Sequence, residues 1–395
     1  MSKRLIPFAQ PLITDEDRQA VMKVLRQDRL TDGLQVRAFE DKFAAFCEAP
    51  YAVAVNSCWS ALYLSYLALG IGPGDSVICP ALTHVATAHA IVRAGAQPVF
   101  VDCREGTADI CSLLTLQRLQ TATAICTLHY AGIPSGIQSG MVYVIPRGSF
   151  LPDGTPLTPT LVTIDKPIIA DCALALGARW QNKGIANYAT ISCFSFYPSK
   201  HIACGEGGMV VCRDEKLAGE IRKLRAFGYD HSNGYDVTVL GGNFRMTEMQ
   251  AVLGQGQLRR MAENLAWRGR RFRQLTELIV SAGLGTVVTA CCPDDISAYY
   301  CCTVILPDAV RAKRNRIQQL LLAAGIETSC YYPRIVPSLA YYRDQVGYQE
   351  GQFPNAELIA SGSIAFPCAP HVSAEDIEYM AETFGKVIEE VRSER

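Results

Sequence analysis

The chain is 395 residues long, 49% hydrophobic and 19% charged, which suits one large or two ordinary globular domains. A formal net charge of -1 excludes general attraction to nucleic acid or to an anionic membrane as the basis of function. No apolar run is long enough to span a bilayer, and the opening Met1-Ser2-Lys3-Arg4-Leu5-Ile6-Pro7 lacks the apolar core of a secretory signal, so a cytoplasmic protein is expected.

Thr14-Asp15-Glu16-Asp17 reads as a capped helix start, with Val21, Met22, Val24 and Leu25 as its apolar face. A second amphipathic helix is predicted over 36–47. From Tyr51 onward short β-rich runs alternate with helices: strands are predicted over 76–79, 98–102, 124–128, 167–171, 190–196 and 209–212, with a helix over 85–94. Buried strands separated by helices point to an α/β fold with a mostly parallel sheet covered on both faces. Residues 139–145 and 161–164 read as two short strands joined by a proline- and glycine-rich loop, as in a hairpin. A long helical stretch over 247–282 reads as a connector, and its Arg268, Arg270, Arg271 and Arg273 as an exposed helix face rather than a nucleic-acid contact. A strand over 299–306, a helix over 309–324, a strand over 327–331 and a helix over 373–391 then suggest a smaller α+β domain. The expected division is a large domain over 1–260, which includes the N-terminal helical segment, and a small one over 261–395.

The 16 cysteines include no Cys-x-x-Cys pair. Cys291-Cys292 and Cys301-Cys302 are adjacent pairs beside strand-like runs, and neighbours on a strand face opposite ways, so each is a poor metal clamp. Reduced, buried thiols and no metal site are expected.

The densest chemistry lies in Ser195-Phe196-Tyr197-Pro198-Ser199-Lys200-His201-Ile202-Ala203-Cys204-Gly205-Glu206-Gly207-Gly208. Lys200 follows a strand and precedes a glycine-rich turn. An amine there loses solvent, and its lowered pKa makes it a nucleophile; a solvated surface lysine is the plain alternative. Asp171 ends the apolar run Ile168-Ile169-Ala170, and ligands of open α/β sheets bind at the carboxyl ends of strands; an aspartate capping the next helix fits equally well. Asn56-Ser57-Cys58-Trp59-Ser60 precedes a helix whose free N–H groups and dipole suit an anion. Taken alone, His84 is a histidine near a helix start, Ser195 a hydroxyl at a strand end, and Gly242-Asn243 a turn before a capped helix.

Together these runs resemble the DegT/StrS family of sugar aminotransferases, and the resemblance covers nearly the whole chain. Further matches are Leu30-Thr31-Asp32-Gly33, Leu128-His129-Tyr130-Ala131-Gly132, Leu240-Gly241-Gly242-Asn243-Phe244-Arg245, Tyr331-Tyr332-Pro333-Arg334, Phe353-Pro354-Asn355-Ala356-Glu357 and Ala365-Phe366-Pro367. The resemblance implies a seven-stranded sheet of the fold type I kind and the cofactor pyridoxal phosphate (PLP), with pyridoxamine phosphate (PMP) as its amine form. It implies that Lys200 forms a Schiff base with PLP and that Asp171 holds the pyridine nitrogen protonated. Cys58, Trp59 and Ser195 would bind the phosphate, and His84 would lie over the ring. Asn243 would reach the phosphate in the partner subunit of a homodimer. Thr31, Gly33 and Tyr332 would contact substrate.

The chain also departs from the family pattern. Leu174 stands where the family has His or Gln, Trp59 where it has Thr, and Val336 near where it often has His. The segment over 133–170 replaces a shorter, helical connection.

The implied reaction is transamination, from an amino donor such as glutamate to a keto or aldehydo sugar, free or nucleotide-linked. The family's sugar dehydratases carry histidine in place of Lys200. Decarboxylation, elimination or carbon–carbon bond formation on a non-sugar substrate is the rival reading, since one electron sink serves all of them. A non-enzymatic cofactor-binding regulator is the third.

Overall fold

The computed structural model describes residues 4–104, 106–110, 118, 121–136, 142–145, 160–230, 236–289 and 295–394. Two helices open the chain, α1 (Asp15–Val24) and α2 (Leu34–Phe46). Thr14 and Asp17 cap α1 reciprocally, each accepting the other's backbone N–H.

The central sheet uses seven strands: β1 (Tyr51–Val55), β2 (Ser76–Pro80), β3 (Gln97–Val101), β4 (Ala124–Leu128), β7 (Ile168–Asp171), β8 (Ile191–Ser195) and β9 (Gly208–Cys212), in the order β1-β9-β8-β7-β4-β2-β3. Only β9 runs against its neighbours. Both faces are covered, and alternation along the strands shows it directly. On β1, Val53 and Val55 enter one apolar core while Ala52 and Ala54 enter the other; on β9, Val210 and Cys212 oppose Met209 and Val211 in the same way. Between β4 and β7, β5 (Val142–Ile145) and β6 (Thr160–Thr163) pair antiparallel with Val142 opposite Thr163, the arrangement expected of a hairpin. Residues 139–141 of that expectation, and Cys291-Cys292, lie outside the described residues.

Helix α3 (Cys58–Ala68) follows β1 and α4 (Val85–Arg93) follows β2. Gly208 lets α3 begin hard against β9: a Cβ there would lie 2.5 Å from the Ser57 carbonyl. After β9 come α5 (Glu215–Arg225), α6 (Glu248–Arg259) and α7 (Met261–Ser281). The predicted continuous helix over 247–282 is therefore two helices, broken at Arg260, whose guanidinium turns back to the Asp17 carboxylate at 2.6 Å.

The remaining chain builds a three-stranded antiparallel sheet, β10 (Thr286–Val287), β11 (Cys301–Ile305) and β12 (Ser363–Pro367), with α8 (Arg314–Ala323), α9 (Pro354–Gly362) and α10 (Ala374–Ser393). It has its own core, including Leu275, Ile317, Phe366, Phe384 and Ile388.

Two expectations fail here. Residues 327–331 form no strand: only Ser329 bridges β12, at Ala365, while the Glu327 N–H donates to the Ile6 carbonyl, so the run meets β12 at one residue rather than along a ladder. Nor are the α7 arginines a uniformly exposed face. Arg268 is buried, donating to Asn264 Oδ1 at 2.8 Å and to the Tyr300 carbonyl at 3.1 Å.

Candidate active site

Two strand-to-helix junctions, β1 to α3 and β2 to α4, converge with the ends of β7 and β8 at the carboxyl end of the sheet. They enclose a cavity of about 450 Å3 lined by Ser57, Cys58, Trp59, His84, Asp171, Ser195, Lys200, Tyr331 and Tyr332 among others. Seven residues singled out from the sequence thus share one wall system: Lys200, Asp171, His84, Cys58, Trp59, Ser195 and Tyr332.

Lys200 sits five residues beyond the end of β8, in a turn closed by its own N–H to the Tyr197 carbonyl at 2.9 Å. Burial lowers its pKa, and the Asp171 carboxylate acts in the opposite sense. Asp171 is buried at the end of β7 and is held at both oxygens: Thr87 donates to Oδ2 at 2.8 Å and the Ala173 N–H to Oδ1 at 3.0 Å. Thr83 in turn lies 3.0 Å from the Thr87 hydroxyl. One bond per oxygen leaves acceptor capacity for a further donor from the cavity.

His84 caps α4: its Nδ1 accepts the Ala86 N–H at 3.1 Å, and its ring meets Tyr332 edge-on at 5.7 Å. The accepting Nδ1 and a pKa lowered by desolvation both describe a neutral imidazole with its proton on Nε2. At the start of α3, Ser57 accepts the Ser60 N–H at 3.1 Å, while the Cys58 and Trp59 amides have no partner among the described residues. Burial pushes the Cys58 thiol pKa well up, so it contributes no anion. Trp59 stacks on Tyr63 at 5.3 Å, and Tyr63 meets the edge of Phe244. Ser195 Oγ accepts the Tyr197 N–H at a long 3.4 Å.

Thr31, Gly33 and Asn243 do not line this cavity. Thr31 and Gly33 lie against the start of α6. Thr31 donates to the Met246 carbonyl at 3.2 Å, and the Gly33 N–H donates to Glu248 at 3.0 Å. Asn243 is exposed, and its carbonyl accepts from Asn56 at 3.5 Å. Leu174 is buried in the apolar core and offers the cavity no polar group.

Sequence reasoning missed Thr87, Ser199, Tyr300 and Tyr331. Tyr300 donates to Ser199 Oγ at 3.0 Å, its hydroxyl is 2.8 Å from that of Tyr331, and the Lys200 amine stands 5.0 Å from its ring centre. Among the described residues no group of His, Cys, Asp and Glu is arranged to hold a metal ion, and no helix is long and apolar enough to cross a membrane.

The donor set fits PLP: an amine of lowered pKa, a buried carboxylate with a spare acceptor position, and two unpartnered amides at a helix N-terminus for a phosphate. The fold and this cavity define a PLP enzyme of fold type I. The chain belongs to the DegT/DnrJ/EryC1/StrS aminotransferase family, whose profile matches residues 11–141 and 163–385. It is 32% identical to the spore coat polysaccharide biosynthesis protein SpsC of Bacillus subtilis, over 97% of both chains. It is 33% identical to dTDP-3-amino-3,4,6-trideoxy-alpha-D-glucose transaminase of Streptomyces venezuelae, over 90% of this chain and 88% of that one. Among solved structures, the sugar aminotransferase candidate Spr1654 of Streptococcus pneumoniae in its PMP form superposes with a TM-score of 0.87 at 26% identity, covering 98% of both chains.

Proposed function

We propose that this aminotransferase moves an amino group from glutamate to a keto group on a nucleotide-linked sugar, with Lys200 as the residue that carries PLP. The observation that carries the reading is the pairing of Lys200 and Asp171 across one cavity at adjacent strand ends, with Cys193 beside Asp171 in the β8–β7 register. Similarity to a dTDP-sugar transaminase supports the substrate class.

When bound, PLP supplies an electron-poor ring that accepts electron density from the bond being broken. Asp171 places a negative charge where the ring nitrogen would lie and favours its protonated form. Thr87 and the Ala173 amide keep that carboxylate from rotating. Lys200 Nζ, whose ammonium form burial disfavours, takes a proton from the donor's Cα and later returns one. The Cys58 and Trp59 amides and the Ser195 hydroxyl would hold the phosphate. Trp59 brings no hydroxyl, so the phosphate there is held by backbone. His84 would lie over the ring as a neutral imidazole, and Tyr332, in edge contact with it, would contact the substrate.

Thr31, Gly33 and Asn243 then serve the partner's cavity in a homodimer. Exposed apolar side chains near Asn243 support this: Leu240 is 94% exposed, and Phe227, which follows the Ala226 that bridges Asn243, is 42% exposed. The division at 260/261 is supported by the break at Arg260 and by the separate apolar core beyond it. A cytoplasmic location accords with the described cysteines all being free thiols.

The acceptor is tested by supplying glutamate with a panel of dTDP-, GDP- and UDP-linked keto sugars and with the same sugars freed of nucleotide. Amination of at least one nucleotide-linked sugar, with a kcat/KM at least tenfold above that of its free counterpart, is expected. Equal turnover of free sugars would remove the nucleotide from the assignment.

A further inference from the structure

Behind Lys200 lies a group of hydroxyls that the reaction as described leaves unused. Tyr300, just before β11, is buried and fixed at both ends. Its carbonyl accepts from Arg268 at 3.1 Å, and its hydroxyl lies between Ser199 Oγ at 3.0 Å and Tyr331 Oη at 2.8 Å. Since the Tyr300 proton goes to Ser199, Tyr331 is the donor in the second bond. Ser199 precedes Lys200 directly, and the Lys200 amine stands 5.0 Å from the Tyr300 ring centre, within the range of a cation–π contact.

We propose that Tyr300 is a positioning residue for Lys200, its ring face steadying the ammonium form of Nζ. The inference rests on Lys200 being the reacting amine. Burial opposes a charge on Lys200, yet an amine that carries a proton must hold it long enough to deliver it. The ring face offers negative potential without a second carboxylate, which would attract the amine and compete with the cofactor for it. The other titratable groups acting on Lys200 are Asp171 at the end of β7, Cys58 at the start of α3 and Cys301 on β11; His84 before α4 and the neighbouring His201 also feel its charge. Asp171 favours the ammonium, and both histidines are held neutral by burial. Tyr300 is the aromatic face in contact with the amine.

The test uses cofactor-free protein, so it does not depend on turnover. Competitive acetylation across a pH series, read by mass spectrometry on the Lys200 peptide, gives the titration midpoint of that amine in wild type, Tyr300→Phe and Tyr300→Leu. Tyr300→Phe keeps the ring and is expected to keep the midpoint. Tyr300→Leu is expected to move it to lower pH, with labelling below the midpoint faster by about threefold or more. A midpoint unchanged or raised in Tyr300→Leu overturns the proposal, the raised value being what water entering the vacated space would give. In the loaded enzyme, the pH profile of kcat should shift in Tyr300→Leu and return in Tyr300→Phe, with KM for the amino donor little changed. If Lys200 is not the reacting amine, the kinetic shift disappears while the labelling shift persists, which separates the two failures.

Discussion

Lys200 and Asp171 meet because two parallel neighbours in the sheet end together, and each is prepared by local contacts before any ligand arrives. The carboxylate is oriented by Thr87 and the Ala173 amide, while the amine is kept short of water and short of charge. Both were legible in the sequence because each stands in a contiguous run whose pattern survives without coordinates. Thr87, Tyr300 and Tyr331 were not, since nothing local marks a threonine within a helix or a tyrosine before a strand as a neighbour of a residue on another element. At this scale pH is informative too. His129 is buried with Nδ1 accepting the Ser135 N–H at 2.8 Å, and desolvation lowers its pKa from 6.5 to about 3. A base whose folded pKa is depressed lets the unfolded chain bind the extra proton. Its contribution to stability is therefore complete above pH 6.5 and is lost as the pH falls from there towards 3. His129→Gln, which keeps an acceptor for Ser135, should show a shallower fall in Tm between pH 6.5 and 4 than wild type; parallel curves would remove His129 as a source of acid sensitivity.

Among the elements, α2 shows how a position outside the cavity is fixed. Gly33 is its N-cap and has no side chain to cap with, so the buried Glu248 carboxylate does it from α6, accepting the N–H groups of Gly33 at 3.0 Å, Gln35 at 2.9 Å and Val36 at 3.0 Å. A Cβ on residue 33 would meet a Glu248 oxygen at 2.8 Å, so a side chain there would push the carboxylate off its three amide donors. Arg225 supports the same turn by pairing with Asp32 at 2.9 Å and Glu40 at 2.7 Å. Glu248→Ala is expected to destabilise the protein by about 1.5–3 kcal/mol, read as a lower denaturant midpoint at unchanged m-value, with KM for the substrate raised because the 30–33 turn loosens. A stability loss within measurement error would show that water replaces the cap. Elements with strong local signals, such as the Thr14 capping box and the alternating strands, could be read in advance. The break at Arg260 and the absent strand at 327–331 could not: Arg260 pairs with Asp17, more than two hundred positions away, and the 327–331 run divides its backbone contacts between β12 and the N-terminal segment.

On the scale of the whole molecule, the carboxyl edge of the sheet brings six of the expected site residues to one cavity, Tyr332 joins them from the segment beyond β11, and Thr31, Gly33 and Asn243 stay outside its lining. In the proposed homodimer, these residues of one copy would complete the cavity of the other. Mixing Lys200→Ala with Asn243→Ala protein through a denaturation and refolding step should restore activity in the mixed dimers, because one of their two cavities has both residues intact. Activity in the mixture no higher than in the separate variants would mean that Asn243 serves its own chain.

The cofactor's absorbance, followed as glutamate alone is added to purified PLP-loaded protein, tests the central claim most directly. Conversion to the PMP form with release of one 2-oxoglutarate per site is expected for wild type and for Lys183→Ala, whose lysine is exposed on a surface ribbon, and none for Lys200→Ala. Failure of glutamate and every other amino acid to convert the wild-type cofactor, or undiminished conversion by Lys200→Ala, would contradict it.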